Sequence, residues 1–182
     1  MLGLGVDILS LKRFEQVIRN RGFQRVARRV CCPRELADFE RLSISPIPRS
    51  GEDAPSAKSI ERGGTHAAGV ESRASGVLDT KVWDRQFRFL STRWAIKEAA
   101  YKAIYPSLPY VRTLHPGFHP TFHAFDLCHE NNVPVLRVLR CGRSGTDGEV
   151  LPGLRLLSSV SHDAGVVVGV VVALQGETGP VP

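Results

Sequence analysis

The chain has few cysteines, no C-x-x-C pair and no long apolar run, and each shortage narrows what it can be. Its 182 residues include four Cys, at positions 31, 32, 128 and 141. Two of these are adjacent, so neither a disulfide scaffold nor a spaced zinc site is expected, and a reducing compartment is the simpler reading. The longest apolar stretch, Val166–Leu174, is half of what a membrane span needs. The first residues hold no charged stretch followed by an apolar one, so no secretory signal is expected. GxGxxG, P-loop and HExxH signatures are missing, which removes the standard nucleotide and zinc motifs.

What is present is a globular composition, 42% hydrophobic and 23% charged, with a net charge of +6. The charge is concentrated. Residues 12–34 carry Lys12, Arg13, Arg19, Arg21, Arg25, Arg28, Arg29 and Arg34 against Glu15, a local +7, so the remainder sums to −1. Such a surface attracts phosphate, anionic lipid or an acidic protein, or is a solvated helix face.

Leu2, Leu4, Val6 and Ile8 alternate with Gly3, Gly5 and Asp7, which predicts a strand with one apolar face and Asp7 on the other, beside glycines that leave room for a neighbour. Ser10 caps a helix with Leu11, Phe14, Val17 and Ile18 inward. A second short helix follows from Phe23 to Val30, and Pro33 starts a third through about Leu42. Residues 43–82 hold seven Ser, five Gly, three Pro and no aromatic, and are read as a disordered insertion. A long helix is expected over Asp84–Ile104, stopped by Pro106, then a loop over 106–120 with four Pro. Strands are expected at 121–127, 133–139, 154–161 and 166–174, the first two joined through Asn131-Asn132, with a loose tail at 175–182. Together these predict an α+β fold with a mostly antiparallel sheet packed on a long helix, built from residues 1–42 and 84–174.

Three groups of residues could do chemistry. Asp7 is an acid on a strand of glycines and apolar residues, and it either caps the next helix or needs a partner. Glu98 lies four residues after Trp94 and four before Lys102, so all three share a helix face. A plain Glu-to-Lys helix pair is the bland account of that spacing. His162, between Ser161 and Asp163, ends a strand where a sheet meets a loop, as structural histidines also do. Ser161, His162 and Asp163 are sequential and cannot converge as a hydrolytic triad.

Gly5-Val6-Asp7, then Trp94-x-x-Lys97-Glu98-Ala99-x-x-Lys102, then Ser159-Val160-Ser161-His162-Asp163 resemble, in order, the three motifs of 4′-phosphopantetheinyl transferases. Gly5-Val6-Asp7-Ile8, Lys12-Arg13-Phe14, the Arg29–Leu36 run and Val133–Leu136 resemble the short holo-[acyl-carrier-protein] synthase type. The resemblance covers residues 1–42 and 84–174. It implies transfer of phosphopantetheine from coenzyme A to a serine of an acyl carrier protein, with Mg²⁺ held by Asp7 and Glu98. It also implies that Lys102, Lys97 and His162 contact coenzyme A and that Glu98, directly or through a metal-bound water, is the general base, with Lys102 beside it in the catalytic set. Arg13, Arg21, Arg25 and Arg28 would dock an acidic carrier. A homotrimer with sites between subunits is implied, and no nucleic-acid or membrane partner. The insertion is of the kind seen in eukaryotic members, which implies a mitochondrial address, with the cytosol as the alternative. Two features depart from the family pattern: Ala103-Ile104-Tyr105-Pro106 replaces a glycine-rich turn after Lys102, and the 43–82 insertion has no counterpart in compact members. The rival reading from charge alone is a small basic RNA-binding or ribosome-associated protein, which would leave Asp7 and Glu98 without a role.

Overall fold

The computed structural model describes residues 1–44, 71–130, 133–140 and 150–176. In chain order these form β1 (Gly3–Ser10), α1 (Leu11–Arg21), α2 (Phe23–Val30), α3 (Pro33–Ile44), α4 (Glu71–Ile104), α5 (Leu108–Leu114), β2 (Phe125–Glu130), β3 (Val133–Val138), β4 (Leu154–Asp163) and β5 (Val166–Gln175). The five strands make one antiparallel sheet in the order β1-β5-β4-β3-β2. This is the α+β architecture expected from the sequence.

Glycine decides how α4 lies on the sheet. A Cβ at Gly3 or Gly5 would overlap the carbonyl oxygens of Ala103 and Ala99, and one at Gly169 would come within 2.7 Å of the oxygen of Ala95. The helix backbone therefore rests on β1 and β5 along Ala95, Ala99 and Ala103, all fully buried. This decides which of the two expected faces of β1 is covered. Its glycine and Asp7 face is turned to the helix, and its apolar face is exposed, with Leu4 57%, Val6 44% and Ile8 66% accessible. The neighbour for which the glycines leave room is the long helix itself.

Two clusters fill the interior. Ile96, Ala100, Ile104, Phe125, Leu136, Leu156 and Val171 join the C-terminal half of α4 to the sheet. Phe14, Ile18, Val26, Val30, Phe39, Phe87 and Leu90 bind α1, α2 and α3 to its N-terminal half. Ser10 caps α1 by accepting from the amide of Arg13, and Gly22, at φ 78°, breaks the chain between α1 and α2.

The structure moves several predicted boundaries. Ser43 and Ile44 close α3, and α4 begins at Glu71 instead of Asp84, so both ends of the expected insertion are helical. Helix propagation adds one hydrogen bond per residue once a nucleus is packed, which extends α4 through a segment with no apolar period of its own. Residues 45–70 of that insertion, the Asn131-Asn132 turn and tail residues 177–182 lie outside the described residues. The predicted 106–120 loop contains a 3-10 turn at Tyr105–Ser107 and helix α5, with Pro106 and Pro109 in first turns where no amide is needed. The strand expected from Thr121 starts only at Phe125, after a 3-10 turn over Phe122–Ala124. β4 and β5 turn through Ala164 and Gly165, both at positive φ (47° and 78°), the two-residue geometry that matches strand twist. No helix among the described residues is long and apolar enough to cross a membrane.

Candidate active site

Asp7 reaches the sheet edge because, among the described residues, β1 is an edge strand paired to β5, where Asp7 faces Gly169. Across from it, one turn apart on α4, stand Glu98 and Lys102. The Lys102 ammonium donates to Asp7 Oδ1 at 2.9 Å and to the carbonyl of Val6 at 3.1 Å. The structure thus joins three residues that are 95 positions apart in the chain at their extremes.

Glu98 is half-buried and accepts no hydrogen bond from the described residues. Burial first, then the charge of Asp7, holds its carboxyl above the usual carboxylate range, while Lys102 draws it down. Two carboxylates within electrostatic reach, one lacking a donor, are the oxygen-rich setting that suits Mg²⁺. Glu98 also lines a pocket of about 460 Å³ with Trp94, Tyr101, Phe122, His123 and Arg29. Trp94 meets the Phe122 ring edge-on at 5.4 Å.

His162 lies elsewhere. Its Nε2 is 3.1 Å from the hydroxyl of Thr92, on the α4 face turned to β4. Thr92 borders a second cleft of about 420 Å³ with Arg85, Arg88, His129, Pro134 and Ser159. Six helical residues separate Thr92 from Glu98, about 9 Å along the axis and ~120° around it. Within one chain, His162 and the Asp7–Glu98 pair therefore lie on different flanks of α4. Sequence reading overlooked Arg85, Arg88 and Thr92. Their i, i+3, i+7 spacing was the available signal, but equivalent spacings occur on any solvated helix face.

Lys97 does not belong to a coenzyme A surface, contrary to the expectation. It is fully buried, and its ammonium donates to Glu35 Oε2 at 2.5 Å, to the Val30 carbonyl at 2.8 Å and to the Phe122 carbonyl at 3.0 Å. All three of its donors are used. It sits beside Glu98 in sequence but ~100° around the helix, which carries it inward. Cys32, Glu35 and Asp126 place possible ligand atoms within 4.8 Å of one another. Lys97 and Arg93 already face Glu35, and Arg34 holds Asp126 at 2.6 Å, so this cluster is neutralised by side chains rather than arranged for a metal.

Arg13 and Arg21 on α1, and Arg25 and Arg28 on α2, are all exposed. The aromatic residues among them turn away, Phe14 into the core and Phe23 against Phe39 and Trp83. Among the described residues, no aromatic side chain of α1 or α2 is exposed between these arginines, and the RNA-binding alternative is not favoured.

No family model matches the chain, and no curated protein sequence does. Solved structures do. A holo-[acyl-carrier-protein] synthase from Neisseria meningitidis superposes with a TM-score of 0.52 at 20% identity, covering 96% of this chain and 99% of that one. A holo-(acyl-carrier-protein) synthase from Bacillus anthracis, in complex with CoA (3',5'-ADP), gives 0.50 at 16% identity, with 97% of each chain covered. The chain has the holo-[acyl-carrier-protein] synthase fold. On that synthase fold, Asp7, Glu98 and Lys102 gather at the β1 edge, and His162 ends β4 across the long helix.

Proposed function

We propose that this protein transfers the 4′-phosphopantetheine of coenzyme A to a serine of an acyl carrier protein. The observation that carries the reading is the convergence of Asp7, Glu98 and Lys102 at one edge of a synthase-type fold. In the reaction the serine oxygen attacks the β-phosphorus of the coenzyme A pyrophosphate. The bond from that phosphorus to the bridging oxygen breaks, and adenosine 3′,5′-bisphosphate leaves. Asp7 and Glu98 would hold Mg²⁺, which when bound supplies positive charge to the pyrophosphate oxygens. Lys102, half-exposed and already beside Asp7, swings to a phosphate oxygen. Glu98, directly or through a water, takes the serine proton. His162, with Arg88 and Thr92, holds the nucleotide end.

The two flanks of α4 work on one substrate if copies of the chain assemble. Leu4, Val6 and Ile8 leave an apolar sheet face open, continued by the half-buried Val168, Val170 and Val172 and the exposed Leu157. A homotrimer closed over that face would bring His162 of one copy to Asp7 and Glu98 of the next. The exposed arginines of α1 and α2 would dock the acidic carrier. On the sequence resemblance, we assign the reaction to fatty acid synthesis in the mitochondrion. Incubation with Mg²⁺, coenzyme A and an apo carrier, followed by mass spectrometry, tests the reading. A phosphopantetheine adduct on the carrier serine is expected, and its absence with a well-folded enzyme would reject the assignment.

A further inference from the structure

We propose that the buried pair Glu35–Lys97 positions the reaction site, tying the arginine-bearing helix α2 and the Phe122 turn to α4 beside Glu98. The inference rests on the transferase reading above and adds to it residues that touch no substrate.

The geometry is specific. Glu35 opens α3 and is fully buried. One of its oxygens receives the amide of Cys32 at 3.0 Å and Lys97 at 2.5 Å. The other receives the amide of Leu127 at 2.9 Å and faces Arg93 Nε at 3.3 Å. The carboxylate thus joins α3, the start of β2 and two positions of α4. Lys97 spends its other two donors on carbonyls that have a consequence for the site. Val30 is the last residue of α2, which carries Arg25, Arg28 and Arg29. Phe122 begins the turn whose next residue, His123, bonds the carbonyl of Arg28 at 2.9 Å. Arg29, Phe122 and His123 are three walls of the Glu98 pocket, and Trp94 and Glu98 are others. A single ammonium therefore holds the helix and the turn that form one side of the pocket to the helix that forms the other.

A buried ion pair is costly to desolvate, and packed apolar residues often stabilise a core as well. Stability alone does not call for a charge here. A network that fixes the distance between Glu98 and the docking helix does, because an ångström of misplacement at a transfer site is worth far more in rate than in stability.

The test uses Lys97→Met, which keeps length and removes the three donors, and Glu35→Gln, which keeps the shape and an acceptor. Each is made in the full chain, with and without Trp83→Phe, so that Trp94 becomes the only tryptophan. We expect carrier kcat/KM per folded molecule to fall about 10- to 100-fold. Coenzyme A affinity should stay within about twofold, because the nucleotide end binds across the helix. Acrylamide quenching of Trp94 should rise as the Phe122 wall loosens. Folded variants with normal carrier kinetics and unchanged quenching would overturn the proposal. So would failure of both variants to fold, which would make the pair a stability element only. If the wild type yields no adduct while quenching still rises, the transferase reading fails and the tie between α2, the turn and α4 remains.

Discussion

Lys102 Nζ lies 2.9 Å from Asp7 Oδ1, and this contact joins the edge strand to the long helix at the point where Glu98 emerges. The pair is partly exposed and adds at most about 1 kcal/mol to stability, so its value lies in placing charge. Replacing Lys102 with Ala should lower turnover ~100-fold, and Asp7→Ala or Glu98→Ala about 1000-fold, with the fold intact. Steady-state turnover across a Mg²⁺ titration, with circular dichroism as the folding control, measures this. Near-normal turnover of Asp7→Ala at limiting Mg²⁺ would remove the metal assignment.

Glu98 gives the protein a pH signature. Its carboxyl is raised in the folded state, so the fold binds this proton more tightly than the unfolded chain does. The stability it contributes is complete below its unfolded pKa and is lost as pH rises through the folded value. Glu98→Gln should therefore melt higher than wild type at pH 8, with the difference shrinking towards pH 4. Mg²⁺ should raise the melting temperature of the wild type at pH 8 and leave Glu98→Gln nearly unchanged. Thermal melts at both pH values decide it.

Arg13→Glu combined with Arg21→Glu separates docking from chemistry. Both side chains are exposed on α1, away from the Thr92 cleft residues. Carrier KM should rise about tenfold, with coenzyme A affinity unchanged. Carrier KM of the wild type should also rise with salt, since exposed charges are screened over ~8 Å at physiological ionic strength, and the variant should respond less. Weaker coenzyme A binding with an unchanged carrier KM would transfer these arginines to the cofactor.

Ile8→Lys tests the open sheet face. Ile8 is 66% exposed and opposes Val168. If copies cover that face, a charge there is buried without a partner and the assembly dissociates. Light-scattering mass should drop to that of one chain, with activity lost in parallel. A variant with unchanged mass would place any assembly elsewhere.

Gly5→Ala probes the helix seat. Its Cβ would overlap the Ala99 carbonyl, a backbone group that cannot rotate away. A cost of about 3 kcal/mol is expected, lowering Tm by roughly 6–12 °C. An unchanged Tm would mean that α4 does not lie against β1 as described.

The amino-acid sequence alone determined the elements that have a strong local signal. Ser10 and Gly22 mark the ends of α1, Pro33 starts α3, Pro106 follows the end of α4, and the β-branched run at 166–172 forms an inner strand. It also offered Asp7, Glu98 and Lys102 as candidates, each with a bland account by spacing alone, and the resemblance of the ordered motifs is what joined them. Tertiary structure decided what depends on neighbours distant in the chain. Alternation in β1 shows two faces but not which one is covered, and only the close approach of α4 to Gly3 and Gly5 turns the apolar face outward. Lys97 and Glu98 are adjacent in the sequence and both stand there as site candidates. Rotation by one helical residue, and the distant carbonyls of Val30 and Phe122, make one an interior tie and leave the other at the site. The distribution of Thr92 and Glu98 around α4 likewise follows from the sheet beneath the helix, since a helix offers every face until packing chooses which to bury.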